Sequence, residues 1–296
     1  MINTPTDQHG FRRVPTDSDR IIVEPVPVET IAAQYEQAGI PFRQRETIFE
    51  NREALLDVCR HYDMELATHL VDVGIMSRIL LSDETFYREF MPLLKHVMGR
   101  KAAEEGDLLF QEEGRERFAT GMEFHDIGKL HPEINDLIHK EGKLSEEEVK
   151  MIQRHPGVHA TLDALGINDD IVQDIPLFHH WPHYAGEKPH RNNRAAKFLA
   201  KCIDIQHAMN EYRSYRKRGM IWWTAAKQAL PDNHVLKHRR SIEEELREKS
   251  PEDQHGELIT LFLGTMQRRW DEISAQLSSK ILPAITSPTL PDHLQH

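Results

Sequence analysis

At 296 residues with 39% apolar content, the chain is long enough for one large domain or two small ones around a real core. A net charge of -11 argues against long nucleic acid as a partner, which needs a basic surface, and the two cysteines, Cys59 and Cys202, exclude a disulfide framework and a thiolate zinc site. No run of about 18 apolar residues is present and the N-terminus MINTPTDQHGFRRVPTDSDR lacks the apolar centre of a secretory signal, so the expectation is a cytoplasmic protein that does not cross a membrane.

Residues 1 to about 30 are rich in Pro, Thr and Asp and carry little periodicity, which predicts an extended or disordered arm. From about residue 42 the pattern is helical. The segment 63–81, DMELATHLVDVGIMSRILL, repeats apolar residues at spacings of three and four. A helix from SDETFYREFMPLLKHVMG follows, with Ser82 as the expected N-cap and Asp83 and Glu84 placing negative charge in the first turn. Further helices are expected over 112–126, 144–155, 158–165, 168–175 and 192–212, and Ser145 with Glu148 has capping-box spacing. After Arg218 come WWTAAKQAL, a charged helix at 240–249, an amphipathic stretch at 257–277 and a Pro-containing tail. Strand patterns are scarce and no internal repeat is visible, so the expected fold class is all-α.

One stretch carries chemistry on its face. In EFHDIGKLHPEI, residues 123–134, His125 and Asp126 are adjacent and are followed by Gly128 and Lys129. A His-Asp pair arises by chance in a chain with 19 His, so the pair needs partners elsewhere. Glu65 and His69 stand four apart and share one helix face. His155 closes a helical segment before Pro156, with His159 one turn further; His179 and His180 are adjacent in PLFHHWPH; and Asp204 lies in the otherwise apolar KCIDIQHAM. A carboxylate on an apolar face is costly to bury unless it is paired or binds a metal. Each residue alone has an ordinary reading as a solvated side chain, a core histidine or a turn, but the ordered set is harder to dismiss. Imidazole and carboxylate together suit iron, manganese or zinc. Basic residues cluster after position 187, with Lys188, Arg191, Arg194 and Lys197 followed by Arg213, Arg216, Lys217 and Arg218, which leaves room for a small phosphorylated ligand. Trp181, Tyr184, Trp222 and Trp223 are either core aromatics or platforms for a guanine base.

Taken in order, Glu65, His69, His125-Asp126, His155, His179-His180 and Asp204 resemble the HD-GYP family, the bacterial cyclic dinucleotide phosphodiesterases of the HD phosphohydrolase superfamily, over about residues 60–216. The best portion is HDIGKLHPEINDLIHKEGKLSEEEVKMIQRHP, and IDIQHAMNEYRSYR is similar to the family's Asp-containing helix and the Arg-x-Tyr-Arg stretch after it, matched by Arg213, Tyr215 and Arg216. The chain departs where the family continues after the double His with Glu and then Asp-Gly-x-Gly-Tyr-Pro; here the sequence is WPHYAGEKPH, and His207 stands at what looks like the second Asp of an Asp-x-x-Asp.

The resemblance implies an HD-domain helical bundle over 61–218, with an N-terminal arm and helix at 1–60 and a helical extension at 219–296. It implies that Asp126 bridges two metals, with His69, His125 and Asp204 on one and His155, His179 and His180 on the other, while Glu65 is associated with a third. The expected cofactor is two or three divalent ions, iron or manganese. The implied activity is hydrolysis of cyclic di-GMP, or a related cyclic dinucleotide, by a metal-activated hydroxide. Lys129 is then expected to meet a phosphate or leaving oxygen, with Gly128 letting the chain turn, and Arg194, Arg213, Arg216 and Tyr184 are candidate substrate contacts. A homodimer or a signalling-protein partner fits the same family. Three other readings stay open: another nucleotide phosphohydrolase, a di-iron oxygenase, or a non-catalytic dinucleotide sensor.

Overall fold

The computed structural model describes residues 21–22, 25–140, 144–179, 184–185, 189–190, 193–210 and 256–281. Among these the chain is almost entirely helical, as expected. The helices are α1 (Val28–Gln37), α2 (Ile48–Tyr62), α3 (Met64–Leu81), α4 (Glu84–Met98), α5 (Arg100–Phe110) and α6 (Glu112–Phe124). A 3-10 turn (Ile127–Leu130) leads to α7 (Pro132–His139), α8 (Glu146–Ile152), α9 (His159–Ala164), α10 (Asp170–Phe178) and α11 (Arg194–Asn210). After the undescribed stretch come α12 (Gly256–Arg268) and α13 (Trp270–Ile281). The described strands are β1 (Ile21–Ile22) and β2 (Tyr184–Ala185), which pair in parallel with Ile21 opposite Tyr184. The segments at 211–255, including WWTAAKQAL and the expected helix at 240–249, lie outside the described residues. Among the described residues no helix is long and apolar enough to cross a membrane.

Local chemistry explains several helix starts. Thr47 and Glu50 close a capping box at α2, each backbone N–H meeting the other's side chain at 3.1 Å, and Ser145 and Glu148 do the same at α8, as their spacing predicts. Asp63 caps α3 by accepting from Leu66 N at 2.9 Å. The expected cap at Ser82 is displaced by one residue. Ser82 retains helical dihedrals (φ -90°, ψ -6°) and closes α3, while the extended Asp83 accepts from Phe86 N at 2.8 Å and starts α4. Two cap-competent residues in succession leave the choice to where the first helix stops packing.

Two apolar clusters fill the interior. One gathers Phe86, Phe90 and Leu94 of α4, Phe118 and Met122 of α6, Phe198 of α11 and Phe262 of α12. The other gathers Ile31 and Tyr35 of α1, Leu55 and Val58 of α2, Leu66 of α3, Phe124, Ile127 and Leu162. Helices α1 and α2 share one cluster with the His125 turn, and α12 and α13 share the other with α4 and α3. Helix α6 is the common wall, packed on α3 along one side and on α10 along another. Close approach of α3 depends on Gly74, where a Cβ would lie 2.4 Å from Glu123 Oε1. Glu123 is fully buried and is held by Arg52 of α2 and by Arg78 of α3, whose Nη1 donates at 2.8 Å. That pairing binds three helices just behind the His125 turn.

Candidate metal centre

Helix α6 stops at Phe124, two residues short of the expected end. His125 keeps helical dihedrals, but Asp126 turns off at φ -108° and ψ 14°, and the chain tightens into the 3-10 turn. Consecutive helical residues point about 100° apart. Leaving the helix here lets His125 and Asp126 face the same enclosed space, and both are fully buried.

Four other segments meet them. His69 comes from the middle of α3, His155 from the turn between α8 and α9, His179 from the end of α10, and Asp204 from α11. Around Asp126 Oδ2, His69 Nε2 and His125 Nε2 both stand at 3.3 Å, and they are 3.1 Å from each other. Asp204 Oδ1 completes that side, 3.6 Å from His69 Nε2 and 3.5 Å from His125 Nε2. Around Asp126 Oδ1, His155 Nε2 stands at 3.2 Å and His179 Nε2 at 3.6 Å, with 3.2 Å between the two nitrogens. Ligand atoms sharing one tetrahedral ion at 2.0–2.1 Å lie about 3.4 Å apart. The observed spacings match that value on both sides of one carboxylate.

Proton placement points the same way. A carbonyl can only accept, so Met122 O at 2.5 Å fixes the proton of His125 on Nδ1, and Ile152 O at 2.6 Å does so for His155. His69 is set by a longer relay. Asp72 Oδ2 lies 3.1 Å from His207 Nε2, and His207 Nδ1 lies 2.9 Å from His69 Nδ1. With the proton of His207 drawn to Asp72, its Nδ1 accepts from His69, and His69 Nε2 is left as a lone pair. Three inward-facing nitrogens are thereby prepared as ligands, and an outer hydrogen bond of this kind is the usual companion of a metal-bound imidazole. The lone pairs of His69 and His125, facing each other at 3.1 Å, need a cation or a proton between them. Asp126 Oδ1 is buried and accepts no hydrogen bond among the described residues.

The charges are consistent with a cation site. Burial alone would raise the carboxyls of Asp126 and Asp204, but His125 and Lys129 hold Asp126, and the His125 hydrogen bond and charge hold Asp204, well below the usual carboxylate range. Burial lowers His155 and, more strongly, His179, keeping both neutral as ligands must be. Burial also opposes charge on His125, yet the Asp126 and Asp204 carboxylates overcome it and push its pKa up to about 9. Without an ion in place, a proton on His125 supplies the missing positive charge between the two carboxylates.

The other predicted residues fall differently. Lys129 forms an ion pair with Asp126 Oδ2 from the 3-10 turn. Gly128 does not take the left-handed backbone expected of a flexible turn, as the described positive-φ glycines are Gly39, Gly99 and Gly166. Its role is close approach: a Cβ there would sit 2.1 Å from His155 O, so glycine lets the turn seat against the segment that carries His155. Glu65 is half-buried in the first turn of α3, one turn before His69, and belongs to none of the groups of ligand atoms found within 4.8 Å of one another among the described residues. Arg194 opens α11 and donates from Nη1 to Met98 O at 3.1 Å, which ties α11 to the end of α4. Lys197 is buried on the same helix. Tyr184 lies in β2. His180, Trp181, Lys188, Arg191, Arg213, Tyr215, Arg216, Lys217, Arg218, Trp222 and Trp223 lie outside the described residues.

Asp72 and His207 were not picked out as a pair by sequence reasoning. They are 135 positions apart, and His207 drew notice as a departure from the Asp-x-x-Asp pattern, not as a partner of His69. The signal available was an acidic residue three positions after His69 on a helix that is otherwise apolar nearly all round. No protein-family model, curated protein or solved structure matches the chain.

Proposed function

We propose that the protein is a metal-dependent phosphodiesterase that hydrolyses cyclic di-GMP or a related cyclic dinucleotide to a linear product. The observation that carries this reading is the placement of two histidine pairs on the two oxygens of the one buried carboxylate, Asp126. His69, His125 and Asp204 would hold one divalent ion, His155 and His179 a second, and Asp126 both; the nitrogen and oxygen donors suit such ions, and the resemblance implies iron or manganese. Such a pair of ions lowers the pKa of a shared water and neutralises charge on a phosphodiester undergoing in-line displacement.

The chain's own contribution is placement. His125 and His155, with protons fixed on Nδ1 by backbone carbonyls, keep their Nε2 atoms aimed inward, and the Asp72–His207 relay does the same for His69. Lys129, with its side chain 16% exposed beside Asp126, is a cation within reach of both the centre and solvent. It is placed to meet a phosphate oxygen or the leaving oxygen as charge builds there.

The test is anaerobic purification, elemental analysis, and incubation of the same preparation with cyclic di-GMP while products are separated by chromatography. Two or three irons or manganese ions with release of a linear dinucleotide are expected. A fully metallated protein that binds the dinucleotide and leaves it intact overturns the reading in favour of a sensor. Mixed-valence iron with consumption of dioxygen overturns it in favour of an oxygenase.

A further inference from the structure

A second group of ligand-type side chains lies outside the Asp126 centre. His159 opens α9, Asp174 sits in the middle of α10 and His190 lies in the segment before α11. One ligand atom from each falls within 4.8 Å of the other two. Asp174 is only 1% exposed, and its Oδ1 accepts the backbone N–H of His190 at 2.7 Å, which brings the His190 residue onto the helix. His159 Nε2 lies 2.9 Å from Gln173 O, an acceptor only, so this ring too carries its proton toward a backbone carbonyl and keeps a lone pair on its other nitrogen. The two imidazoles lie side by side, 18° from parallel with centroids 5.2 Å apart.

We infer that His159, Asp174 and His190 form a separate mononuclear site for a zinc-class divalent ion. Two neutral imidazoles and one carboxylate are a common donor set for such an ion, with water as a fourth ligand. Atoms sharing one zinc lie about 3.4 Å apart, so closure from the observed spacing takes side-chain movements of about 1 Å. The exposed His190 ring can make that movement by rotation about its side-chain torsions while still facing His159. His159 is four residues after His155, and Asp174 is five residues before His179, so an ion here braces the backbone next to each of the Asp126 Oδ1 ligands. The inference does not rest on the phosphodiesterase reading.

The experiment uses the full chain, stripped with chelator, reloaded with zinc(II) and counted by elemental analysis. His190→Ala and His159→Ala are each expected to hold one zinc equivalent fewer than the parent. In an Asp126→Asn background, one equivalent is expected to survive and to disappear on adding His190→Ala. Cobalt(II) in that background is expected to give a visible four-coordinate absorption band that the double variant lacks. If both histidine variants hold as much zinc as the parent, the inference is overturned, and Asp174 serves only to tether the backbone at His190. Should Asp126→Asn fail to fold, the single histidine variants decide alone, since His190 is exposed and its loss leaves the core intact.

Discussion

On the Oδ2 side of Asp126, His69 of the long helix α3 is oriented through two further side chains, His207 and then Asp72, beside Asp204 of α11 and His125 at the end of α6, which the Met122 carbonyl holds. On the Oδ1 side, His155 is held by the backbone carbonyl of Ile152 in a turn, and His179 is the C-cap residue just past the end of α10. The setting of His69 comes from side chains and can be altered by changing one of them. That of His155 comes from the main chain and changes only if the turn itself moves. One carboxylate thus joins a half that holds a side-chain-tuned imidazole, His69, to a half whose His155 is backbone-fixed.

The largest effect is expected where the halves meet. Asp126→Ala removes the shared ligand, so elemental analysis should show loss of both central ions and cyclic dinucleotide hydrolysis should fall by more than about 10³-fold. Lys129→Met leaves every ligand in place; metal content should be unchanged while kcat falls about 10²–10³-fold, the usual cost of losing one electrostatic stabiliser. Asp72→Asn separates the halves. It should weaken binding of one metal equivalent about 10–100-fold in a chelator competition and leave the other unmoved, whereas a general loss of stability would weaken both.

Smaller effects should report on the backbone-fixed half. Gly128→Ala places a methyl against the His155 carbonyl, and denaturant melts should show a loss of about 1–3 kcal/mol, in the range of overpacked cores, with the Oδ1-side ion lost first. Ser145→Ala removes the cap of α8, the helix that leads to His155, and should cost about 1 kcal/mol with no change in affinity on the Oδ2 side.

The ligand-bearing segments were readable because each pairs a short-range pattern with a chemical oddity. Glu65 and His69 at helical spacing, Ser145 with Glu148 at a helix start, and Asp204 in an apolar stretch all announce themselves within a few residues, and α3, α8 and α11 are where those patterns placed them. What stayed hidden is long-range or marginal. The Asp72–His207 contact and the burial of Glu123 between Arg52 and Arg78 join helices remote in sequence. Helix α7 is only 8 residues long, too short for periodicity to stand out, and α5 follows α4 after a single glycine. The amphipathic stretch at 257–277 is interrupted at Arg269, so one expected helix is two.

The central ligands are drawn from α3, the end of α6, the turn before α9, the end of α10 and α11, spanning positions 69 to 204. An ion held by all of them closes several long chain loops at once, a constraint on the unfolded state of the kind that disulfides supply in secreted proteins. Both cysteines are free and buried, so on the proposed reading a bound metal would be the chain's cross-link. The metallated protein should therefore outlast the stripped one under protease or heat by an unfolding-rate effect, and starvation for metal would shorten the lifetime of the protein as well as stop its chemistry.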